Sequence, residues 1–312
     1  MAARVAGYKP CMSDLPDIQL PPEAHALLRT ASRFETPCGD GGMVWHTWGQ
    51  ATRRPGLAPL VLLHGGSGSW THWVRNLQAL VDMGRQVWVP DLPGFGDSAL
   101  PLDGMDADVI AAPLEAGLQQ LLGTQPIDVV GFSFGGMVGS FLAADYPARV
   151  ARLVVVGAVG LGLVPRNTVK LKGWRHLQAE DARDAIHRFN LAALMLHQPE
   201  AIDADTLALH KANVQRDRLP ARRLSNTDVL KQNLLRVACP VSAIYGREDA
   251  LYVGHQDLLQ ASLQALPHFQ QFAWIDQAGH WVQYERAEAF NTALLQLLPP
   301  ILGEAAAAAG RC

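Results

Sequence analysis

Short apolar, β-branched runs recur along this chain, and each is followed by a turn and then a helical pattern. Leu60–Leu63, Val87–Val89, Asp128–Val130, Leu153–Val156, Val241–Tyr245 and Phe272–Ile275 all read as strands covered on both faces. Residues 71–83, 106–122, 135–146, 255–266 and 285–298 read as the intervening helices. Parallel neighbours need a crossover between them, so this alternation specifies an α/β fold with a mostly parallel sheet flanked by helices. Segments 31–36 and 42–49, turning at Gly39-Asp40-Gly41-Gly42, add an antiparallel hairpin at the front.

One stretch breaks the alternation. From about 160 to 236 no good strand occurs, and the helical patches Ala185–Met195 and Ala204–Val214 take its place. The expected organisation is an N-terminal arm (1–25), a core in two pieces (26–159 and 237–303), a helical cap (160–236) and a short tail (304–312). Ligands in open α/β sheets bind beyond the carboxyl ends of the strands, so a cap there would roof the site and exclude water.

Composition narrows the function classes. The 312 residues are 49% hydrophobic and 18% charged, which excludes a disordered chain. A formal charge of -3 supplies no basic field for nucleic acid. The four cysteines, Cys11, Cys38, Cys239 and Cys312, form no C-x-x-C pair, so neither a disulfide framework nor a zinc site is expected. That usage suits a reducing compartment. With no apolar h-region at the start and no run of about 18 apolar residues, a cytoplasmic protein without membrane contact is expected. No G-x-G-x-x-G, P-loop or metal-ligand spacing stands in a convincing setting, so no cofactor and no metal are expected, and the partner is a small-molecule substrate.

The sharpest chemical signal is Gly131-Phe132-Ser133-Phe134-Gly135-Gly136, between an apolar strand and a helix. A G-x-S-x-G turn in that setting thrusts the serine oxygen out above the sheet, with a helix N-terminus behind it. The bland alternative is a tight strand-to-helix turn. A serine nucleophile needs a base. His280, in Asp276-Gln-Ala-Gly-His-Trp281, follows the last strand at the same sheet edge and is the first candidate. Asp249, in Tyr245-Gly-Arg-Glu-Asp-Ala250, follows the fifth of the parallel runs and would orient the imidazole. Glu248 and Asp276 compete for that role. The loop His64-Gly65-Gly66-Ser67-Gly68-Ser69 offers N–H donors for an oxyanion from Gly66 or Ser67, with Phe134 supplying the other; otherwise these small residues only make a flexible turn.

Taken in order, HGG, DLPGFGDS, GFSFGG, GRED and AGHW over roughly residues 30–300 resemble the α/β-hydrolase superfamily. The resemblance implies the α/β-hydrolase fold with a helical cap insertion, and the Ser-Asp-His chain order agrees with it. Within the superfamily the chain looks most like the meta-cleavage product hydrolases, which cleave carbon–carbon bonds in 2-hydroxy-6-oxo-dienoates. That likeness rests on HGGSGSWTHWVRN and on Gly279-His280-Trp281 running into Gln283-Tyr-Glu-Arg-Ala-Glu-Ala-Phe-Asn291. Trp281 matches a tryptophan of that group beside the catalytic histidine. Two departures remove polar contacts to a dienoate: Phe132 stands where the group has asparagine, and His210 where it has a cap arginine.

Arg216, Arg218, Arg222 and Arg223 crowd the cap, and Arg216 is the candidate for a substrate carboxylate, against the plainer reading of a solvated basic face. Phe132, Phe134, Trp70, Trp73, Phe189, Leu194 and Met195 are candidates for an apolar pocket or for plain core. Three functions stay open at this point. The first is an acyl-enzyme serine hydrolase of a small, mostly apolar ester, thioester or lactone. The second is a carbon–carbon hydrolase of dienoates. The third is a ligand-binding protein that keeps the pocket without turnover.

Overall fold

Leu60–Leu63 (β3) is only four residues long, yet all four are fully buried, because strands lie on both sides of it and helices cover both faces. The computed structural model describes residues 20–163, 169–219 and 222–299. The other strands are Ser32–Cys38 (β1), Gly41–Trp48 (β2), Val87–Pro90 (β4), Ile127–Phe132 (β5), Val150–Val156 (β6), Val241–Gly246 (β7) and Phe269–Ile275 (β8). They form one sheet in the order β1-β2-β4-β3-β5-β6-β7-β8. β2 pairs antiparallel with both β1 and β4, and every pair from β4 to β8 is parallel. The front hairpin and the α/β class are therefore as the sequence pattern predicts.

The chain leaves β3 for β4 on one side, then returns to place β5 on the other. This reversal opens a crevice beyond the ends of β3 and β5, where doubly wound sheets bind ligands. The register pairs Leu63 with Gly131, so the loop after β3 and the serine turn after β5 emerge side by side.

Side-chain alternation divides the core in two. Val61, Leu63 and Val129 point to one face, where they meet helices Ala111–Leu122 (α3), Phe134–Asp145 (α4) and Gln256–Gln264 (α8). Leu60, Leu62 and Val130 point to the other, against Leu77–Asp82 (α2) and Ala287–Leu297 (α10). Pro22–Thr30 (α1) also joins this second face through Ala24. It corrects the expectation of a loose arm to residue 25: Pro22 is at a position where its missing N–H costs nothing, and Glu23 and Arg29 suit the helix dipole. Residues 1–19 and the expected tail, 304–312, lie outside the described residues.

Between β6 and β7 the described residues hold Glu180–Asn190 (α5), Ala204–Gln215 (α6) and Val229–Leu234 (α7), and no strand. α5 runs directly into a π-helical turn, Leu191–Met195. Last comes the short helix Val282–Glu285 (α9), just before α10. No helix among the described residues is long and apolar enough to cross a membrane.

Candidate active site

Ser133 stands between β5 and α4 at φ 52°, ψ -114°, a conformation that L residues rarely adopt. The turn closes only because its neighbours are glycine. A Cβ on Gly131 would stand 2.4 Å from the Gly135 carbonyl oxygen, and one on Gly135 would stand 2.4 Å from that of Leu63. The strain points Ser133 Oγ out of the sheet.

Two further loops end at the same edge. His280, after β8, places Nε2 2.9 Å from Ser133 Oγ and Nδ1 2.8 Å from Asp249 Oδ2. A carboxylate only accepts, so Nδ1–H donates to Asp249 and Nε2 is left to accept the serine proton. Asp249 is fully buried, and its other oxygen accepts from the Leu251 N–H at 3.0 Å. The competing acids are elsewhere: Asp276 is on the surface beside Arg247, and Glu248 meets the histidine loop only through its backbone N–H to Ala278.

The loop after β3 stands opposite. Gly65 N–H donates to His72 Nδ1 at 3.2 Å, and burial holds the His72 pKa well below the usual imidazole value, so that ring is a neutral acceptor. His64 Nε2 accepts from Leu92 N–H at 2.8 Å, which ties this loop to the one after β4. The N–H groups of Gly66, Ser67 and Phe134 have no protein acceptor among the described residues. They are the donors free to meet an oxyanion.

A cavity of about 360 Å³ opens at this point. Ser133 and His280 reach it, together with Gly66 and Ser67. Phe132, Phe134, Leu194 and Met195 supply apolar wall, and Arg222 with Asn226 supplies a polar one.

The model of the α/β-hydrolase fold family matches residues 58–181. A 2-hydroxy-6-oxononadienedioate/2-hydroxy-6-oxononatrienedioate hydrolase of Paraburkholderia phymatum is 30% identical over 264 residues, which span 78% of this chain and 88% of its own. The chain belongs to the α/β-hydrolase family. A 2-hydroxy-6-oxo-6-phenylhexa-2,4-dienoate hydrolase of Comamonas testosteroni is 28% identical over 264 residues, 77% of this chain and 87% of its own. Two solved structures share the fold. A serine hydrolase of Cycloclasticus zankles superposes with a TM-score of 0.68 at 20% identity, over 85% of this chain and 96% of its own. An esterase of Rhodococcus sp. ECU1013 gives 0.64 at 23%, over 86% and 98%.

This α/β hydrolase is thus an enzyme, and several residues singled out in its sequence lie away from the cavity. His210 faces α5 rather than the cavity: its ring meets His187 at 5.3 Å, and burial pushes its pKa down to about 3. Arg216 ends α6, where it is buried and donates to Asp97 at 2.9 Å and to the Ala212 carbonyl at 3.0 Å. Trp281 lies beneath the site. Its indole N–H donates to the His72 carbonyl at 3.0 Å, and its ring stacks on Tyr284 at 4.0 Å. Trp70 and Trp73 are core, and Phe189 is on the surface under Lys172. Among the described residues, the arginine that reaches the cavity is Arg222.

Two supporting acids escaped the sequence reading. Glu285 accepts from Gly279 N–H at 2.6 Å and from Gln198 N–H at 2.7 Å, so it braces the histidine loop against the segment after the π turn. Asp217 accepts from Ser67 Oγ and from both terminal nitrogens of Arg222. Glu285 stands inside the Gln283–Asn291 run that carries the family likeness, with no role read for it there; Asp217 is one acid in an arginine cluster.

Proposed function

We propose that this enzyme is a serine hydrolase that works through an acyl-enzyme. The unbroken relay from Ser133 Oγ through His280 to buried Asp249 carries the reading. Ser133 Oγ bonds to the substrate's carbonyl carbon while His280 Nε2 takes its proton. The carbonyl's π electrons move onto its oxygen, which the N–H groups of Phe134 and of Gly66 or Ser67 receive. Collapse expels the leaving group, which takes the proton back from His280. A water then repeats the sequence, giving the carboxylic acid and free Ser133.

The substrate is a small, mostly apolar carboxylic ester, thioester or lactone. Phenylalanine, leucine and methionine walls support this, as does Phe132, whose buried ring lies 5.1 Å from that of His280. Among the described residues Arg222 brings the guanidinium of the cavity wall, and both its terminal nitrogens already serve Asp217, which weakens it as a receptor for a substrate carboxylate. Residues 160–236 act as a cap, a role supported by Leu194, Met195 and Arg222 in the cavity wall. The buried free thiols Cys38 and Cys239 suit the cytoplasm.

A second reading, carbon–carbon hydrolysis of a dienoate, is favoured by the names of the relatives at 28% and 30% identity. One panel separates the two: p-nitrophenyl esters of increasing acyl length beside a 2-hydroxy-6-oxo-dienoate, each with Ser133→Ala as control. Serine-dependent ester turnover with an inert dienoate is expected. Fast dienoate turnover with poor ester cleavage reverses the choice. Slow turnover unchanged in Ser133→Ala would leave only ligand binding.

A further inference from the structure

The loop that follows β3 is tied down from above, by the segment between β6 and β7. Ser67 is at φ 52°, in the left-handed region, although it is not glycine. Such a residue persists only when its surroundings over-determine it. Ser67 Oγ donates to Asp217 Oδ2 at 2.5 Å. Asp217 is itself fixed: Arg222 Nη1 and Nη2 grip its two oxygens at 2.7 and 2.9 Å, and the Leu219 N–H donates to it at 3.0 Å. Arg222 Nη2 also lies 3.2 Å from Ser67 Oγ. Its guanidinium covers Gly66, with Nε 3.5 Å from where a Cβ would stand. Further along the loop, Asn213 Oδ1 accepts from both Ser69 Oγ at 2.7 Å and Thr71 Oγ1 at 3.0 Å.

We propose that Asp217, clamped by Arg222, is a positioning residue that holds Ser67 in its strained conformation and so aims the Gly66 and Ser67 N–H groups at the oxyanion. The inference rests on the serine-hydrolase reading. Without the clamp, Ser67 relaxes toward negative φ and the adjoining peptide groups rotate. Substrate still enters, because the apolar walls are intact, but the donors no longer meet the charge that develops on the carbonyl oxygen. The loss therefore belongs to the transition state rather than to ground-state binding.

The test compares Asp217→Ala, Asp217→Asn and Ser67→Ala with the unaltered enzyme, using a p-nitrophenyl ester and an aryl trifluoromethyl ketone. The ketone accepts Ser133 Oγ at its carbonyl carbon, the proton passes to His280, and the resulting hemiketal oxyanion occupies the donors. In Asp217→Ala, kcat should fall about 10- to 100-fold, somewhat less than the loss of a whole oxyanion donor. The ketone's Ki should rise in parallel while KM changes far less, and Tm should fall by a few degrees because Arg222 loses its counter-charge. Ser67→Ala, which leaves that ion pair in place, should give the same losses in kcat and Ki with Tm nearly unchanged, and the double variant should lose no more activity than the worse single one, because both remove one interaction. Asp217→Asn keeps an acceptor and should lie between. A raised KM with unchanged kcat and ketone affinity, or additive losses in the double variant, would overturn the proposal. If the unaltered enzyme neither turns over ester through Ser133 nor binds the ketone, the serine-hydrolase reading fails first, and the proposal falls with it.

Discussion

Ser133 is held at positive φ, and a strained residue of this kind carries of order 1–3 kcal/mol that the surrounding fold must supply. The return is an oxygen aimed at one imidazole, whose tautomer is in turn dictated by one carboxylate. Asp249→Asn probes that dependence. An amide can present its N–H₂ to Nδ1, which reverses the tautomer and leaves Nε2 protonated and unable to take the serine proton. We expect kcat to fall by roughly 10³- to 10⁴-fold with Tm within a few degrees, measured by ester turnover and thermal melting. A loss under tenfold would remove Asp249 from the relay. The three residues were legible in the sequence because each follows an apolar strand at its carboxyl end, where topology alone brings the loops together. The cap arginines were not. Arg216, Arg218 and Arg222 look alike in a string, and what sorts them lies mostly in distant loops. Asp97 takes Arg216, the carbonyls of Gly96 and Ser98 take Arg218, and Ser67 with Asp217 takes Arg222.

At the scale of elements, the crossing of α4 over β3 and β5 is a tight joint beside the site. Gly135 lies so close to the β3 backbone that a methyl group there would meet Leu63 O at 2.4 Å and His64 O at 2.5 Å. Leu63 is held in the ladder opposite Gly131 of β5, which limits how far its carbonyl can turn. Gly135→Ala should therefore destabilise the enzyme by about 2–4 kcal/mol, at or above the usual range for overpacking, and should displace Ser133 as well. Chemical denaturation checks the first effect. A Gly135→Ala variant as stable and active as the parent would show that the joint has slack. Each strand was foreseeable from its apolar run, and β5 and α4 also from the glycines on either side of Ser133. The start of α1 was hidden, because Pro10, Pro16 and Pro21 precede it and suggest an irregular arm. Pro22 nonetheless begins a helix, which buries Ala24 fully and packs Leu27 and Leu28 partly against the same core. The 71–83 pattern also divides: Ser69 caps a 3-10 turn at Trp70–Trp73 before α2 starts. A side-chain cap of that kind leaves the hydrophobic period intact and so does not appear in it.

For the whole molecule, the sheet's two ends have different chemistry. At the end remote from Ser133, Asp128 of β5 is fully buried between Arg85 and Arg152, at 2.6 and 2.5 Å. Those arginines also donate to the carbonyls of Leu298 and Pro299, which ties the chain after α10 to the sheet. Asp128→Ala leaves two guanidinium groups without a counter-charge and should cost about 3–5 kcal/mol in urea denaturation, with kcat of the folded fraction unchanged. The other end is rich in neutral imidazole. Burial lowers the pKa of His46, His64, His72 and His187, and takes His210 down to about 3. In the unfolded chain each of these titrates near 6.5. Above that pH both states are neutral at these sites and stability is flat with respect to them. Below it the unfolded chain binds protons that the folded one refuses, so stability falls as pH drops. For His210 the fall continues from about 6.5 to about 3, and each refused proton contributes up to about 1.4 kcal/mol per pH unit. Asp203 and Asp217, whose pKa values are lowered in the fold, add their loss only below the ordinary carboxylate range near 3.8. Between pH 4.5 and 6.5 the histidines therefore dominate this set of groups. The urea midpoint should decline steadily from pH 7 to pH 5, and His210→Gln, which cannot take up a proton in either state, should have a slope shallower by up to one proton. A midpoint constant over that range would mean that the buried imidazoles open to water before the chain unfolds. An unaltered slope in the His210→Gln protein would place the refused protons on the other four rings.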